Sequence, residues 1–151
     1  MIIYRLIRER YQTTPLSAAG ADRVGGRWNP VGFPILYTSA TPELALLEVV
    51  VHIDPQDIQP RLCWVVIEVP DPGQIVQPDL LSADWYEPSD YRSTQYFLQE
   101  WLVNPQTVSV QVPSAIVPIS ANYLLHTANV SFAEQVHVLD IIPFRLDSRL
   151  R

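Results

Sequence analysis

Lysine is missing from this chain of 151 residues; all ten basic side chains are arginine. That absence excludes Schiff-base and amine-nucleophile chemistry, and leaves any bound phosphate to arginine or backbone N–H groups. Cysteine is reduced to Cys63, so an internal disulfide and a thiolate metal cluster are both excluded. Set between Leu62 and Trp64 in an apolar run, it reads as an inert core thiol. The three histidines, His52, His126 and His137, form no His-Glu-x-x-His or His-x-His unit, and no metal site is expected. No apolar run approaches the ~18 residues of a membrane helix. The opening Met1-Ile2-Ile3-Tyr4-Arg5-Leu6 is too short and too charged for a signal peptide, so a cytoplasmic protein is expected.

Positive charge is scarce too. Sixteen acidic residues against ten basic give a net charge of −6, which disfavours contact with a nucleic-acid backbone. The 14 prolines are scattered rather than clustered, which implies many short elements and tight turns instead of a linker. No repeat or boundary is visible, so residues 1–151 are expected to fold as one compact domain.

The expected elements are strand-rich. Residues 2–7 form a strand, 8–24 a loop with a short helix, 25–34 a Gly- and Pro-punctuated loop and 34–38 a second strand. Thr41-Pro42-Glu43 opens a helix: Thr41 caps, Pro42 takes the first helical position and Glu43 favours the positive end of the dipole. That helix runs from 44 to 53 and stops before Pro55. A strand over 62–69 ends at Pro70-Asp71-Pro72-Gly73, and 74–77 pairs beside it. Aromatic and aliphatic spacing over 93–103 predicts one amphipathic helix with Tyr96, Phe97 and Trp101 in its core. Residues 108–112 and 115–119 are short strands around Pro113-Ser114. Ser131-Phe132-Ala133-Glu134 fits a capping box for a single helical turn, and 136–146 is an extended segment broken by Pro143. The class is α+β, with small mixed or antiparallel sheets and a few helices.

Chemistry concentrates between residues 25 and 48. Glu48 sits in an otherwise apolar helix, where an unpaired carboxylate costs several kcal/mol; it needs a partner such as His52, a backbone group or a cavity wall. Gly25-Gly26-Arg27 lets backbone and guanidinium approach a ligand closely. Arginine's planar fork matches phosphate oxygens, which is the leading reading; a loop arginine stacked on Trp28 or paired to a surface acid is the alternative. Tyr37 and Ser39 alternate on one strand face, where Tyr37 either stacks on a flat heterocycle or fills the core. Ser114 either binds a sugar or phosphate or is a plain turn serine; no Gly-x-Ser-x-Gly elbow exists to make it a nucleophile. Asp84, Glu87 and Asp90 read as a solvated acidic patch.

Taken in order, these residues resemble the RES domain family, named for Arg, Glu and Ser. Tyr4-Arg5-Leu6 is similar to its opening strand, and Gly25-Gly26-Arg27-Trp28-Asn29-Pro30-Val31-Gly32 to its signature loop. Leu36-Tyr37-Thr38-Ser39 with Glu43 through Glu48 resembles the second block, and Val112-Pro113-Ser114-Ala115 with Asn122 the third. Phe144 through Arg149 resembles the closing strand. Two places depart from the pattern. Gln99-Glu100 stands where Gly-Asp is usual, a change expected to alter helix packing. His126-Thr127 and Asn129-Val130 replace Asn-Pro and His-Pro, a change expected at the pocket rim or the antitoxin contact.

The resemblance implies a fold similar to diphtheria-toxin-type ADP-ribosyltransferases, and a toxin that consumes NAD⁺ and is neutralised by an Xre-like helix-turn-helix antitoxin. NAD⁺ would be the substrate, with no cofactor; a homodimer inside the toxin–antitoxin complex stays open. Carried over by position, Arg27, Tyr37 and Glu48 would be catalytic, and Ser114, Ser39, Asn122 and Trp28 would bind substrate. Glu48 would hydrogen-bond a ribose hydroxyl as positive charge develops at the anomeric carbon, Arg27 would grip the diphosphate and Tyr37 would stack on nicotinamide. Hydrolysis or phosphorolysis of the nicotinamide–ribose bond leads, with ADP-ribosyl transfer and a catalytically silent, antitoxin-binding module as alternatives.

Overall fold

The computed structural model describes residues 1–54 and 61–150. Its elements in chain order are β1 (Ile2–Arg8), α1 (Ala19–Val24), β2 (Ile35–Ser39), α2 (Pro42–Val50), β3 (Arg61–Glu68), β4 (Gln74–Ile75), α3 (Arg92–Phe97), α4 (Gln99–Val103), β5 (Ser109–Pro113), β6 (Ala121–His126), α5 (Phe132–Gln135) and β7 (His137–Arg145). The strands form one mixed sheet in the order β4-β5-β6-β2-β1-β3-β7, antiparallel throughout except for the β4–β5 pair.

The junction between β1 and β2 is the feature that matters for function. Every residue of β2, from Ile35 to Ser39, pairs with β6, and β1 pairs with β3 from Ile2 to Arg8. Between β1 and β2 the register holds at a single pair, Tyr4 with Ser39. The sheet is thus two well-paired halves joined at one point, and the strands part beside it.

Three apolar clusters cover the sheet. One face carries Ile3, Ile7, Leu36, Cys63, Val65, Ile67 and Leu125, consistent with alternation along each strand. On the other, Trp28, Trp85, Leu98, Trp101 and Leu102 pack with Ile35, Val110, Val112 and Leu124, while α2 lays Leu46, Val49 and Val50 over Leu6 and Leu62. Removing each such aliphatic side chain from water contributes roughly 1.5–3 kcal/mol, and the first cluster joins β1 and β3 to β2 and β6 across the point where the strands part. Cys63 is buried as expected, and burial pushes its thiol above the ordinary range.

Helix α2 forms for the reasons its sequence carries. The Thr41 hydroxyl accepts a hydrogen bond from the Leu44 N–H at 3.2 Å, and Pro42 follows at the helix start. The α-helix ends at Val50, and Pro55, the residue expected to stop it, lies outside the described residues. Because α2 carries the central carboxylate, loss of this cap has a functional consequence. Thr41→Ala is expected to lower stability by about 1 kcal/mol, measured by urea unfolding; an unchanged midpoint would remove the cap from the account.

Several expected elements differ. Residues 74–75 do not pair beside β3; β4 joins β5 at the opposite edge, because Val76 anchors this segment in the tryptophan-rich cluster. The helix expected over 93–103 is two helices separated at Leu98, whose buried side chain packs inward at the break. Tyr96 is not core but 78% exposed, while Trp101 is buried. Residues 115–119 form no strand; the partner of β5 is β6, which begins at Ala121 and was not expected. Ser131 precedes α5 but makes no side-chain cap. Pro143 does not break β7, because β7 is an edge strand with neighbours on one side only, where a missing N–H is tolerated.

Candidate active site

A cavity of about 540 Å³ lies where β1 and β2 part. Its walls include Tyr4 and Arg5 of β1, Tyr37 and Ser39 of β2, Glu48 and His52 from α2 and the turn after it, Gly26 and Arg27 of the loop after α1, and Tyr91 and Asn122. The guanidinium of Arg27 and the carboxylate of Glu48 therefore share one hollow. Among the described lining residues, Glu48 is the single carboxylate and Arg5 and Arg27 are the two guanidiniums.

Glu48 is held by hydrogen bonds that all reach one oxygen. Its Oε1 accepts from the Ser114 hydroxyl at 2.8 Å and from Asn122 Nδ2 at 2.6 Å. Asn122 is oriented in turn by the Ser39 hydroxyl, which donates to its Oδ1 at 2.7 Å. Ser114 is oriented by the Ile116 and Val117 N–H groups, each donating to its oxygen at 3.1 Å. These bonds come from β2, β6 and the β5–β6 loop, and they fix the carboxylate without occupying Oε2. Of the alternatives read from the sequence, a Glu48–His52 pair is absent among the described contacts, and the carboxylate stands at a cavity wall. Ser114 is fully buried and is not one of the residues lining the cavity; what it touches is Glu48.

Arg27 is positioned by neither alternative read from the sequence. Its Nη1 donates to the carbonyls of Trp85 at 2.6 Å and Glu87 at 3.0 Å, its Nη2 to that of Tyr86 at 3.1 Å, and its guanidinium stacks on the Tyr91 ring. Three of its five N–H donors are thereby used, leaving two. The acidic side chains Asp84, Glu87 and Asp90 stay exposed as expected, and it is the backbone of this segment that Arg27 holds. Trp28 lines the cavity as well, but it is 3% exposed and its ring lies 6.0 Å from that of Trp85, within the tryptophan-rich cluster.

Tyr37 is pinned rather than free. Its hydroxyl donates to Asn29 Oδ1 at 2.7 Å and accepts the Trp28 N–H at 3.1 Å, and burial pushes its phenol far above the ordinary range. Gly26 is packed against it: a Cβ there would meet the Tyr37 hydroxyl at 2.7 Å, so the second glycine is required by close approach. Gly25 is required by its φ of 72°.

Two residues of the site were not singled out from the sequence. Arg5 lines the cavity, and its Nη1 donates to the carbonyls of Pro15 at 2.8 Å and Ser17 at 3.0 Å. Burial draws its guanidinium down to about 10, so it stays charged at neutral pH. An arginine in the middle of an apolar strand was the available signal. Asn29 is fully buried and ties Nδ2 to the carbonyls of Ala21, Pro30 and Phe33. It organises the loop that carries Arg27.

The departure at 126–130 does not touch the rim. His126 is buried at the end of β6, with Nε2 3.0 Å from the Leu102 carbonyl and its ring edge-on to Trp101, and Asn129 donates to the Pro105 carbonyl. Neither lines the cavity. Among the described residues, no cluster of three or more His, Cys, Asp or Glu side chains could hold a metal ion. No described helix is long and apolar enough to cross a membrane.

The split sheet thus places one anchored carboxylate and two arginines around a single cavity. The chain matches the RES domain over residues 2–147, and it belongs to that family. It is 33% identical over 151 residues to "Toxin Res" of Photorhabdus laumondii subsp. laumondii, covering 99% of this chain and 97% of that protein. "Prs ADP-ribosylating toxin" of Sphingobium sp. is 36% identical over 123 residues, covering 79% of this chain and 76% of that one. In fold the chain is similar to a solved chain of the M. tuberculosis MbcT–MbcA toxin–antitoxin complex, with a TM-score of 0.76 and 21% identity over 99% of this chain and 85% of that one.

Proposed function

We propose that this chain is an NAD⁺-consuming toxin that cleaves the nicotinamide–ribose bond. The observation that carries this reading is the Glu48 carboxylate, with Oε1 filled by Ser114 and Asn122 and Oε2 left for a ribose hydroxyl. As the bond to nicotinamide lengthens, positive charge grows at the anomeric carbon, and a fixed carboxylate on the ribose stabilises that state more than the ground state. Removing one such preorganised group elsewhere costs about 3–4 kcal/mol of barrier, which sets the scale expected here.

The other residues take supporting parts. Arg5 and the two unused donors of Arg27 hold the diphosphate. Tyr37, with its hydroxyl tied down, offers a ring face to nicotinamide, which leaves as a neutral base. Ser39, Asn122 and Ser114 keep Glu48 in place. Water or phosphate is the acceptor in the leading reading. ADP-ribosyl transfer to a protein or metabolite is the second, favoured by the printed name of the Sphingobium relative. A silent binding module is disfavoured by an intact set of residues around Glu48.

The expected partner is a small Xre-like helix-turn-helix antitoxin, a reading supported by the toxin–antitoxin complex among similar structures. The test is incubation with NAD⁺, following nicotinamide and ADP-ribose by chromatography. Nicotinamide release with free ADP-ribose or ADP-ribose 1-phosphate supports cleavage, and release with a modified acceptor supports transfer. No nicotinamide release under any of these conditions would overturn the enzymatic reading.

A further inference from the structure

His52 is a side chain of the cavity with chemistry to offer and no stated task. It lies four residues after Glu48, in the turn that follows α2, so the two reach the same hollow one helical turn apart. The residue is exposed; its backbone N–H donates to the Val49 carbonyl at 3.0 Å, and among the described residues its ring makes no hydrogen bond or ion pair.

The other polar groups of the cavity are already committed. Glu48 has two donors on Oε1, and its remaining oxygen is assigned to the ribose. Ser39 donates to Asn122, Thr38 to the Tyr123 carbonyl, and Tyr37 to Asn29. Arg5 and Arg27 are guanidiniums, which donate and do not accept. Tyr4 and Tyr91 add phenol groups to the lining, and the Tyr91 ring is covered by the Arg27 guanidinium. With Glu48 assigned to the ribose, the His52 imidazole is the remaining side chain of the cavity that offers a ring nitrogen as acceptor.

Resting on the reading above, we infer that His52 is the general base for the acceptor: it removes the proton of the hydroxyl that attacks the anomeric carbon. The step balances without a further reagent. The acceptor O–H proton passes to a ring nitrogen of His52, the new C–O bond forms at the anomeric carbon, and the C–N bond breaks. Nicotinamide leaves with that bond's electron pair as a neutral molecule. His52 later gives its proton to solvent. This division gives the two functional groups of α2 separate duties, Glu48 for the developing cation and His52 for the nucleophile.

The test compares wild type with His52→Gln for NAD⁺ hydrolysis, with and without azide. Azide attacks as an anion and has no proton to lose, so it does not need a base. Hydrolysis by the variant is expected to fall about 100-fold with KM changed less than about threefold. Azide should then restore nicotinamide release at least about tenfold in the variant, with ADP-ribosyl azide as product, and add little in the wild type. A structural role for His52 would lower both rates together, and that result would overturn the inference. So would hydrolysis by His52→Gln within about threefold of wild type. If the wild type released no nicotinamide in either condition, nor with phosphate or a cell extract added as acceptor, the NAD⁺ reading itself would fall and the inference with it.

Discussion

Glu48→Gln is expected to lower nicotinamide release from NAD⁺ by about 100- to 1,000-fold, with its thermal midpoint within a few degrees of wild type. The substitution is chosen for what it keeps. A glutamine Oε1 still accepts from Ser114 and Asn122, so the hydrogen bonds that anchor the side chain survive. What is lost is the negative charge at the oxygen assigned to the ribose. Because that charge acts mainly on the cationic transition state, kcat should fall far more than apparent NAD⁺ affinity. A rate near that of wild type would remove Glu48 from the mechanism.

The second large effect is on stability, at a residue that touches no substrate. Asn29→Ala removes an amide whose Nδ2 holds three carbonyls and whose Oδ1 accepts the Tyr37 hydroxyl, all in a fully buried position. Alanine leaves these groups dry and unpaired, and each orphan costs of order 1–3 kcal/mol before the loop relaxes. A net loss of about 3 kcal/mol is expected, lowering Tm by roughly 6–12 °C. The loop from Gly25 to Asn29 also positions Arg27, so activity of the folded fraction should drop as well. A Tm within about 2 °C of wild type would show that the network around Asn29 is not what orders the loop.

The elements that could be read from sequence are those governed by local rules. Helix α2 announced itself by Thr41-Pro42-Glu43, and β1, β2 and β3 by apolar strand patterns, because caps and alternation are properties of a few consecutive residues. The placement of β4 depends instead on where Val76 finds a buried site, a non-local choice. The break at Leu98 was hidden for a similar reason: an unbroken helical spacing over 93–103 does not show that Leu98 must turn inward between two short helices.

The site divides along the same line. Glu48 was conspicuous because a carboxylate among Leu, Ala and Val needs a partner, and the partners are Asn122 and Ser114 from distant strands. Arg27 was conspicuous too, but its use in holding the 85–87 backbone depends on a segment some 60 positions away. Arg5 belongs to no local motif and sits in a strand dominated by Ile and Leu, so the sequence alone gives it no task. Only the parting of β1 from β2 makes its guanidinium part of a cavity. Pairing between strands, rather than any motif, creates the hollow that joins these groups.

The most direct measurement is a crystal structure of the Glu48→Gln protein with NAD⁺ bound. The account predicts the nicotinamide ribose beside residue 48 with a hydroxyl within hydrogen-bond distance, the nicotinamide ring against Tyr37, and the diphosphate between Arg5 and Arg27. Dinucleotide bound elsewhere, or in the cavity with its ribose turned away from residue 48, would contradict it.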